Sequence, residues 1–397
     1  MELKTIVLTK GKEKSLERKH PWLFSGAINR IISDSGEAPF NGEMVEIVDS
    51  KNNFLATGHF SDATIAVRII SFKQEKINQA FWTNKVQMAY NVRESLGLTN
   101  NPSTNIYRLM HAEGDGLPGL VIDYYNGTAI IQAHSIGIYN AIDEISTALQ
   151  NVYGKDLIAI YNKSAESIAK QTSEEVENGY IYQNGDSNLV GLENDNQFNL
   201  DWINGQKTGF FLDQRENRKL IADYSKGKKV LNTFCYSGGF SVYALKAGAK
   251  EVHSVDSSQK AIDLVDENIK LNGLKKHNSF TSDTLDYLKE NKIDYDVIIL
   301  DPPAYAKNQK AKHNAIQGYK RLNLMALQQI KPGGILFTFS CSQAVNRKLF
   351  YDTIVAAAIE AGRNIRVLNH LSQPADHPVN IYHPEGEYLK GLVLHVE

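Results

Sequence analysis

The chain has 397 residues, which is too long for one ordinary hydrophobic core and indicates two or three domains. Its two cysteines exclude a disulfide framework and favour a reducing compartment, and its net charge of −2 excludes a strongly basic field over the whole molecule. No apolar run approaches the ~20 residues of a membrane span, and the start lacks a signal-peptide pattern. We therefore expect a cytoplasmic protein.

The first 72 residues are predicted to form short strands separated by Gly, Asn, Asp and Ser. The strand-like stretches are "TIVLT", "EMVEIVD", "FLATGHF" and "TIAVRIIS". Short strands joined by such turns are typical of a small β-barrel.

Basic side chains concentrate near the start of the chain. Residues 1–30 contain seven Lys or Arg against three Glu. Such a cluster is able to meet the phosphates of a nucleic acid, although a solvated basic face would have the same composition. The residues that we select as candidate phosphate contacts are Lys10, Lys12, Lys14, Arg18 and Lys19.

Residues 73–195 are predicted to form a small α+β unit. Apolar residues near helical spacing predict a helix over about 77–96. A hairpin follows in "GLVIDYYNGTAIIQAHS", with its turn at Asn126 and Gly127, then a helix over about 139–153 and a strand in "DLIAIYNK".

Residues 196–397 alternate short apolar strands with helices. The strands are predicted in "KKVLNTF", "EVHSVD", "DVIILD" and "GGILFTFS", and the helices include "SVYALKAG" and "SSQKAIDLVDENIKLNG". This alternation predicts parallel strands with right-handed crossovers, which is the doubly wound α/β class.

The ends of these strands carry the features of a nucleotide-like ligand site. Gly238 and Gly239 follow the first strand in "NTFCYSGGFS", and Asp256 ends the second strand, where it is able to accept both ribose hydroxyls of an adenosine. Asp283 follows a third strand, where it could meet an adenine edge. A nicotinamide cofactor would need a G-x-G-x-x-G loop for its pyrophosphate, and this crowded loop favours S-adenosylmethionine instead.

A carboxylate and a thiol are predicted at the same edge of this sheet. Asp301 ends the fourth strand before two prolines that stiffen the next loop, and Cys341 ends the strand that follows. If these two strands are neighbours, about 5 Å apart, both side chains face one cleft. Cys341 is then either a nucleophile or a small apolar residue at a strand end.

These motifs resemble those of a three-domain bacterial family of cytosine-5 ribosomal RNA methyltransferases. "HPWLFSGAI" resembles its PUA signature and "AEGDGLPGLVIDYY" its middle domain. The C-terminal part is similar at "KTGFFLDQREN", "FCYSGGFS", "DPPAYAK", "GYKRLN", "SCS" and "DHPVNIYHPEGEYLKG".

The resemblance implies a PUA-like RNA-binding domain over 1–72, a small α+β domain over 73–195 and a Rossmann-like methyltransferase domain over 196–397. It implies S-adenosylmethionine as methyl donor and large-subunit ribosomal RNA as partner. From the sequence itself we expect no membrane and no metal, and a homodimer stays open. The expected cofactor-binding residues are Phe211, Asp213, Thr233, Phe234, Tyr236, Ser237, Gly238, Asp256, Ser257, Asp283 and Asp301.

The resemblance also implies Cys341 as the nucleophile that attacks a cytosine. Asp301, at the neighbouring strand end, is expected to act as a catalytic partner that holds the base by its exocyclic amine or at ring nitrogen 3. Tyr305 is expected to stack on the flipped base. Many RNA cytosine-5 enzymes carry a second cysteine after the proline of the strand-end motif, and Ala304 here departs from that pattern. Product release must then use another base, which the sequence does not identify. Cys235 is interpreted as a packing residue.

Alternative interpretations remain open. "DPPAY" resembles the Asp-Pro-Pro-Tyr motif of amino-group methyltransferases, although Ala304 changes its spacing, and related enzymes methylate guanine. A non-catalytic RNA-binding protein is a third possibility. His377, His383 and Glu385 suggest zinc ligands, but their spacing fits no common pattern, so we expect a loop on the substrate side.

Overall fold

The computed structural model describes residues 3–34, 36–172, 175–292, 294–306 and 308–397. The chain divides into two compact units. The first unit comprises Met1–Leu189, Leu200–Phe210 and Ala375–Gly386, and the second comprises Val190–Asn199, Phe211–Pro374 and Glu387–Glu397. Among the described helices, none is both long and apolar enough to cross a membrane.

The first unit begins with a six-stranded sheet of the order β2-β6-β5-β4-β1-β3 within the described residues. Alternate residues such as Val45 and Ile47 are buried in its core, as the period of two along a strand requires. The four strands predicted here are confirmed as β1, β4, β5 and β6, whereas β2 and β3 were not predicted. The elements are β1 (Lys4–Leu8), α1 (Lys14–Glu17), β2 (Trp22–Phe24), β3 (Ile28–Ile32), β4 (Met44–Val48), β5 (Phe54–Phe60) and β6 (Ile65–Ser71).

The same unit continues with a five-stranded sheet of the order β11-β10-β9-β8-β7 in the described part of the chain. The predicted hairpin is confirmed as β8 and β9, and its turn residues Asn126 and Gly127 have positive φ angles of 46° and 97°. The elements are α2 (Gln79–Ser95), β7 (Ile106–His111), β8 (Leu120–Tyr125), β9 (Thr128–Ala133), α3 (Ile136–Asn140), α4 (Ile142–Tyr153), β10 (Ala159–Asn162), α5 (Ala165–Ile168) and β11 (Gly179–Gln183).

The second unit contains a two-stranded hairpin and a seven-stranded sheet among its described residues. Helices alternate with the first strands of the large sheet, as predicted. The elements are β12 (Val190–Glu193), β13 (Asn196–Asn199), α6 (Arg215–Ser225), β14 (Lys229–Thr233), α7 (Gly239–Lys246), β15 (Glu251–Asp256), α8 (Gln259–Leu271), β16 (His277–Thr281), α9 (Thr284–Glu290), β17 (Tyr295–Leu300), α10 (Lys312–Gln329), β18 (Ile330–Ser340), α11 (Arg347–Ala361), β19 (Ile365–Ser372) and β20 (Lys390–Val396).

The order of the large sheet is β16-β15-β14-β17-β18-β20-β19. Strands β14 to β18 are parallel, as the doubly wound pattern predicts, and the strand order reverses between β14 and β17. Such a reversal opens a crevice at the carboxyl ends of the strands, where ligands bind in this class of sheet. The antiparallel strand β20, which pairs with β18 and β19, was not predicted.

Candidate active site

The loop after β14 has an unusual backbone. Phe234, Tyr236 and Gly238 have positive φ angles of 53°, 43° and 72°. A non-glycine residue in this region is strained by about 1–3 kcal/mol, and such strain is concentrated at ligand-binding sites. A Cβ atom on Gly238 would lie 2.9 Å from a methyl group of Val265, so both the backbone and the close packing require glycine there.

Asp256 ties this loop to the end of the neighbouring strand β15. Its carboxylate oxygens accept hydrogen bonds from the backbone N–H groups of Tyr236 and Ser258, both at 3.0 Å. The carboxylate is half-buried, and Ser257 beside it is exposed. The sequence-predicted residues Thr233, Phe234, Tyr236, Ser237, Gly238, Asp256 and Ser257 therefore lie along two hydrogen-bonded strand ends.

Asp283 has a structural task that the sequence prediction did not include. Its Oδ1 atom accepts hydrogen bonds from the backbone N–H groups of Leu285, at 2.8 Å, and Asp286, at 3.2 Å. It is thus the N-cap of α9, separated from the end of β16 by Ser282 alone, and its side chain is exposed. The cap fixes the carboxylate at a strand end on the ligand side of the sheet, and its contact with an adenine stays a prediction.

Phe211 lies close to the strained loop and is held there by a buried ion pair. Its ring is 5.1 Å from the ring of Tyr236, at an interplanar angle of 89°. Its carbonyl oxygen accepts a hydrogen bond of 2.9 Å from Arg218, whose guanidinium also makes two bonds to Glu193, at 2.7 and 2.6 Å. Burial alone would lower the pKa of Arg218, but the carboxylate of Glu193 raises it, so the guanidinium stays charged.

Asp213 and Arg215 are both buried in the loop that leads into α6. Asp213 Oδ2 accepts a hydrogen bond of 2.7 Å from the hydroxyl of Tyr388, and Arg215 Nε donates one of 3.1 Å to Glu216. These contacts hold the loop that leads into α6.

The structure brings the predicted thiol and carboxylate to adjacent strand ends. Strands β17 and β18 pair in parallel, with Leu300 opposite Thr338, and Asp301 and Cys341 follow them. The Sγ atom of Cys341 lies 3.8 Å from the carbonyl oxygen of Pro302. Cys341 is partly exposed and able to meet a ligand, as a nucleophile must be.

Cys235 differs from Cys341 in its environment. It is buried, and burial raises the pKa of its thiol well above the ordinary value. A buried thiol with a raised pKa is unreactive, which agrees with its interpretation as a packing residue.

The loop after Asp301 is joined to the loop after Cys341 through one serine. Ser342 Oγ accepts a hydrogen bond of 3.1 Å from the backbone N–H of Ala306 and lies 2.9 Å from the hydroxyl of Tyr319. The ring of Tyr305 packs 4.7 Å from that of Tyr319, and burial raises the pKa of Tyr305 to about 12. One part of the Tyr305 ring is therefore already used in packing, and its stacking on a base stays a prediction.

Lys390 is a charged neighbour of the thiol that sequence reasoning missed. Its side chain is almost fully buried, with 4% exposed. Its Nζ donates hydrogen bonds to the carbonyl oxygens of Ser342, at 2.8 Å, and Tyr388, at 2.9 Å. Burial lowers its pKa to about 8, against an opposing electrostatic contribution from Cys341. The only sequence signal is a lysine at the start of the apolar run "KGLVLHV".

The five basic residues selected near the start of the chain are all exposed: Lys10, Lys12, Lys14, Arg18 and Lys19. The ammonium group of Lys19 makes a cation–π contact with Phe72, at 4.8 Å from the ring centre, and the residue is still exposed to solvent. Their exposure allows phosphate contacts, and their contact with RNA stays a prediction.

Of the three residues that suggested zinc ligands, His383 and Glu385 belong to one cluster of possible ligand atoms, and His377 has other contacts. His377 is buried with its Nδ1 atom 3.1 Å from Asp376, whose other oxygen accepts a hydrogen bond from the backbone of Arg108. His383 and Glu385 instead lie beside His20, which is more than 360 residues away along the chain.

Comparisons with known proteins place these features in a family. The model of an S-adenosylmethionine-dependent methyltransferase family matches residues 172–386, and that of a PUA-like domain matches residues 6–72. The protein named "Ribosomal RNA large subunit methyltransferase I" of Aeromonas hydrophila subsp. hydrophila is 41% identical over 98% of this chain and 98% of its own length. Its namesake of Photobacterium profundum is 39% identical over 99% of both chains.

Solved structures share the fold over nearly the full length. "A putative sam-dependent methyltransferase from Streptococcus mutans" has a TM-score of 0.82 at 24% identity and covers 98% of this chain and 99% of that chain. "A putative methyltransferase complexed with SAH" has the same TM-score and coverage at 25% identity. SAH is the product that remains when S-adenosylmethionine has lost its methyl group.

Proposed function

We propose that this chain, which belongs to the family of ribosomal RNA large subunit methyltransferase I, transfers the methyl group of S-adenosylmethionine to carbon 5 of a cytosine. The observation that carries the proposal is the position of Cys341, a partly exposed thiol next to the Asp301-Pro302 turn at neighbouring strand ends. Methylation of an amino group does not require a nucleophilic thiol at this position.

The chemistry explains why a thiol is needed. Carbon 5 of cytosine is a weak nucleophile, but addition of a thiolate to carbon 6 converts the ring into an enamine whose carbon 5 attacks the methyl group. A base then removes the proton from carbon 5, and the carbon–sulfur bond breaks as the thiolate leaves.

Lys390 would activate the thiol. Its ammonium group bonds to the carbonyl of Ser342, the residue next to Cys341, in a buried setting where charge interactions are strong. A positive charge there favours the thiolate over the thiol, and the neutral amine is a suitable acceptor for the thiol proton because its pKa is about 8. We assign Lys390 to the formation and stabilisation of the nucleophile.

Asp301 would hold the base. A cytosine must leave its stack to reach this site, which costs a few kcal/mol in a duplex and less in a loop. Asp301 at the end of β17 is in position to accept a hydrogen bond from the exocyclic amine or from a protonated ring nitrogen 3. Protonation of ring nitrogen 3 withdraws electrons from the ring and makes carbon 6 more reactive, and the negative charge of Asp301 would stabilise the protonated ring. The contact with the exocyclic amine would orient the base.

The strained loop after β14 fits the methyl donor. The backbone N–H groups of Cys235 and Gly238 already donate to carbonyl oxygens, and that of Tyr236 donates to the carboxylate of Asp256. These N–H groups are therefore not available to a pyrophosphate, which a nicotinamide cofactor would need to bind here. Asp256 and Asp283 would hold the ribose and the adenine, Phe211 would cover the donor, and Asp213 would stabilise the covering loop. The donor supplies an electrophilic methyl group.

Substitution of Asp256 by asparagine should weaken S-adenosylmethionine binding by about 1–3 kcal/mol, because the ribose hydroxyls lose a charged acceptor. Isothermal titration measures this loss directly. The matched control is Asp263→Asn, which changes an exposed carboxylate on the following helix α8 and should leave the affinity unchanged. Equal affinity of Asp256→Asn and the unaltered protein would refute the ribose assignment.

The three segments of the chain would have separate roles in RNA methylation. Residues 1–72 would bind RNA, residues 73–195 would form the middle domain, and residues 196–397 would carry out methyl transfer. The exposed basic side chains of the first segment support the RNA contact, because phosphate binding releases counterions and depends on accessible cations.

Replacement of Lys10, Lys12 and Lys14 by glutamine should reduce RNA affinity and its dependence on salt. Each lost phosphate contact lowers the slope of log affinity against log salt by about 0.7 for single-stranded RNA. Filter binding at several salt concentrations gives both quantities. A control that replaces the exposed Lys260, Lys270 and Lys275 should change the slope much less, and equal slopes for the two variants would remove the proposed RNA contact.

Mass spectrometry of nucleosides tests the proposed acceptor atom. The enzyme is incubated with large-subunit RNA and S-adenosylmethionine carrying a deuterated methyl group, and the RNA is then digested. The proposal predicts labelled 5-methylcytidine. A labelled guanosine, or a cytidine methylated on its amino group, would favour the amino-group or guanine alternatives.

A further inference from the structure

Three side chains that are separated in sequence converge in the first unit. His20 follows α1, and His383 and Glu385 belong to the segment Ala375–Gly386. One possible ligand atom from each residue lies within 4.8 Å of the others. In the described part of the chain, this is the one group of three or more such residues that could hold a metal ion.

His383 places a buried nitrogen next to a carboxylate. The side chain is 3% exposed, and its Nδ1 atom has no hydrogen-bond partner within the described residues. Glu385 Oε2 is 3.1 Å from this nitrogen, but the two atoms are not aligned for a hydrogen bond. Bonds of 2.0–2.2 Å around a tetrahedral ion separate neighbouring ligand atoms by roughly 3.3 Å, which is close to the 3.1 Å between His383 Nδ1 and Glu385 Oε2.

His20 has the backbone contact that ligand histidines commonly make. Its Nδ1 atom lies 3.0 Å from the carbonyl oxygen of Trp22. When Nδ1–H donates to that carbonyl, the lone pair of the imidazole is on Nε2, and the ring is held in one orientation. The backbone N–H of Trp22 lies 3.1 Å from Nδ1 and would instead favour the tautomer with the proton on Nε2. A cation bound at Nε2 would favour the tautomer with the proton on Nδ1.

The indole of Trp22 supports the cluster. Its ring centre is 4.3 Å from that of His383, and its Nε1–H donates a hydrogen bond of 2.9 Å to Glu113. The indole therefore packs against one ligand while it is itself fixed by a second carboxylate. Glu385 is largely exposed, so water is able to reach the fourth position of an ion bound here.

We propose that His20, His383 and Glu385 form a site for one divalent transition metal ion, with Zn²⁺ as the best match. Two imidazole nitrogens and one carboxylate oxygen are a donor set that Zn²⁺ takes with a water molecule as the fourth ligand. Ca²⁺ and Mg²⁺ prefer sets made of oxygen atoms and fit less well. The site is in the first unit, whereas the donor and thiol residues are in the second unit.

Metal titration of the full chain tests the proposal. The protein is stripped with EDTA, dialysed, and titrated with Zn²⁺ in competition with a chromophoric chelator, and bound zinc is then measured by elemental analysis. The unaltered protein should bind one Zn²⁺. Loss of a residue that only supports a metal ligand weakens metal binding by roughly 10–100-fold. Glu385→Gln and His383→Ala each change a proposed ligand, so each should weaken Zn²⁺ binding by at least that factor.

A control variant and a spectroscopic measurement separate the site from other histidines. His313→Ala removes an exposed histidine of the second unit and should keep the full affinity. Co²⁺ in place of Zn²⁺ should give the visible absorption of a four-coordinate ion, which Glu385→Gln should lose. Glu385 is exposed, so its variant should fold, and donor binding by that variant checks that it does. Absence of stoichiometric zinc, or equal affinity of all variants, would overturn the proposal.

Discussion

Substitution of Cys341 by alanine should abolish methyl transfer while the protein keeps its fold and its affinity for S-adenosylmethionine. The reason is that the substitution removes the atom that forms the bond to carbon 6 but only a small part of the packing, since Cys341 is partly exposed at the end of β18. We expect a fall in kcat of at least about 10⁴-fold, comparable to the loss of a nucleophile in other covalent mechanisms.

Single-turnover assays with labelled donor measure this rate. The control is the same variant examined by isothermal titration with S-adenosylmethionine, which should show unaltered affinity. Cys341→Ser should be nearly as inactive, because a serine hydroxyl ionises far less readily than a thiol. Methylation by Cys341→Ala at a near-normal rate would make the thiol structural and would favour amino-group chemistry.

Substitution of Lys390 by methionine should lower kcat/KM by roughly 10²–10³-fold at pH 7, the range expected for loss of a proton-transfer group. Without the buried ammonium, the thiolate of Cys341 loses a nearby positive charge and should be less populated at neutral pH. The acidic limb of the pH–rate profile should consequently move to higher pH, so the defect should be smaller at pH 9 than at pH 7.

Two variants separate this electrostatic role from a structural one. Lys390→Arg keeps the positive charge and should hold the acidic limb near its normal pH, even if the rate falls. Lys348→Met, which changes an exposed lysine on α11, should alter neither rate nor profile. A Lys390→Met enzyme whose rate falls equally at all pH values would show that Lys390 only supports the loop.

The same lysine should leave a signature in the pH dependence of stability. Its pKa is about 8 in the folded protein, below the ordinary 10.5, so the folded state loses this proton before the unfolded state does. Between about pH 8 and 10.5 the unfolded state therefore binds more protons, and the free energy of unfolding contributed by Lys390 rises with pH. The cost of burying the ammonium is fully present below pH 8. Lys390→Met should lack this rise in urea denaturation.

The sequence was sufficient for the parts of the fold that depend on local pattern. The strands β14, β15, β17 and β18 are apolar runs with turn residues at their ends, and their alternation with helices determines a parallel sheet. The sequence therefore predicted that Asp301 and Cys341 follow neighbouring strands. Strand β20 was missed because its pairing with β18 joins residues about 55 positions apart, and no local pattern records such a contact.

In the candidate site, too, the sequence predicts the residues that belong to a local pattern but not those that are brought together by folding. Asp256 and Gly238 could be predicted as site residues because Asp256 ends one strand and Gly238 lies in the loop after another, at positions that the fold class uses. Lys390 was missed because the motif "DHPVNIYHPEGEYLKG", which contains it, gives no indication that its ammonium is buried next to Ser342. His20 could not be linked to His383 by spacing, since their proximity arises only when the chain folds back on itself.

Trapping of a covalent RNA–protein adduct tests the central claim most directly. RNA that carries 5-fluorocytosine at the target position has no proton on carbon 5 for the final step, so the enzyme should stall with its sulfur bonded to carbon 6. We predict a stable adduct whose digestion and mass spectrometry place the nucleotide on Cys341, and which depends on S-adenosylmethionine for the transferred methyl group. Failure to trap an adduct on RNA that is methylated normally when it carries cytosine, or a nucleotide attached at another residue, would contradict the account.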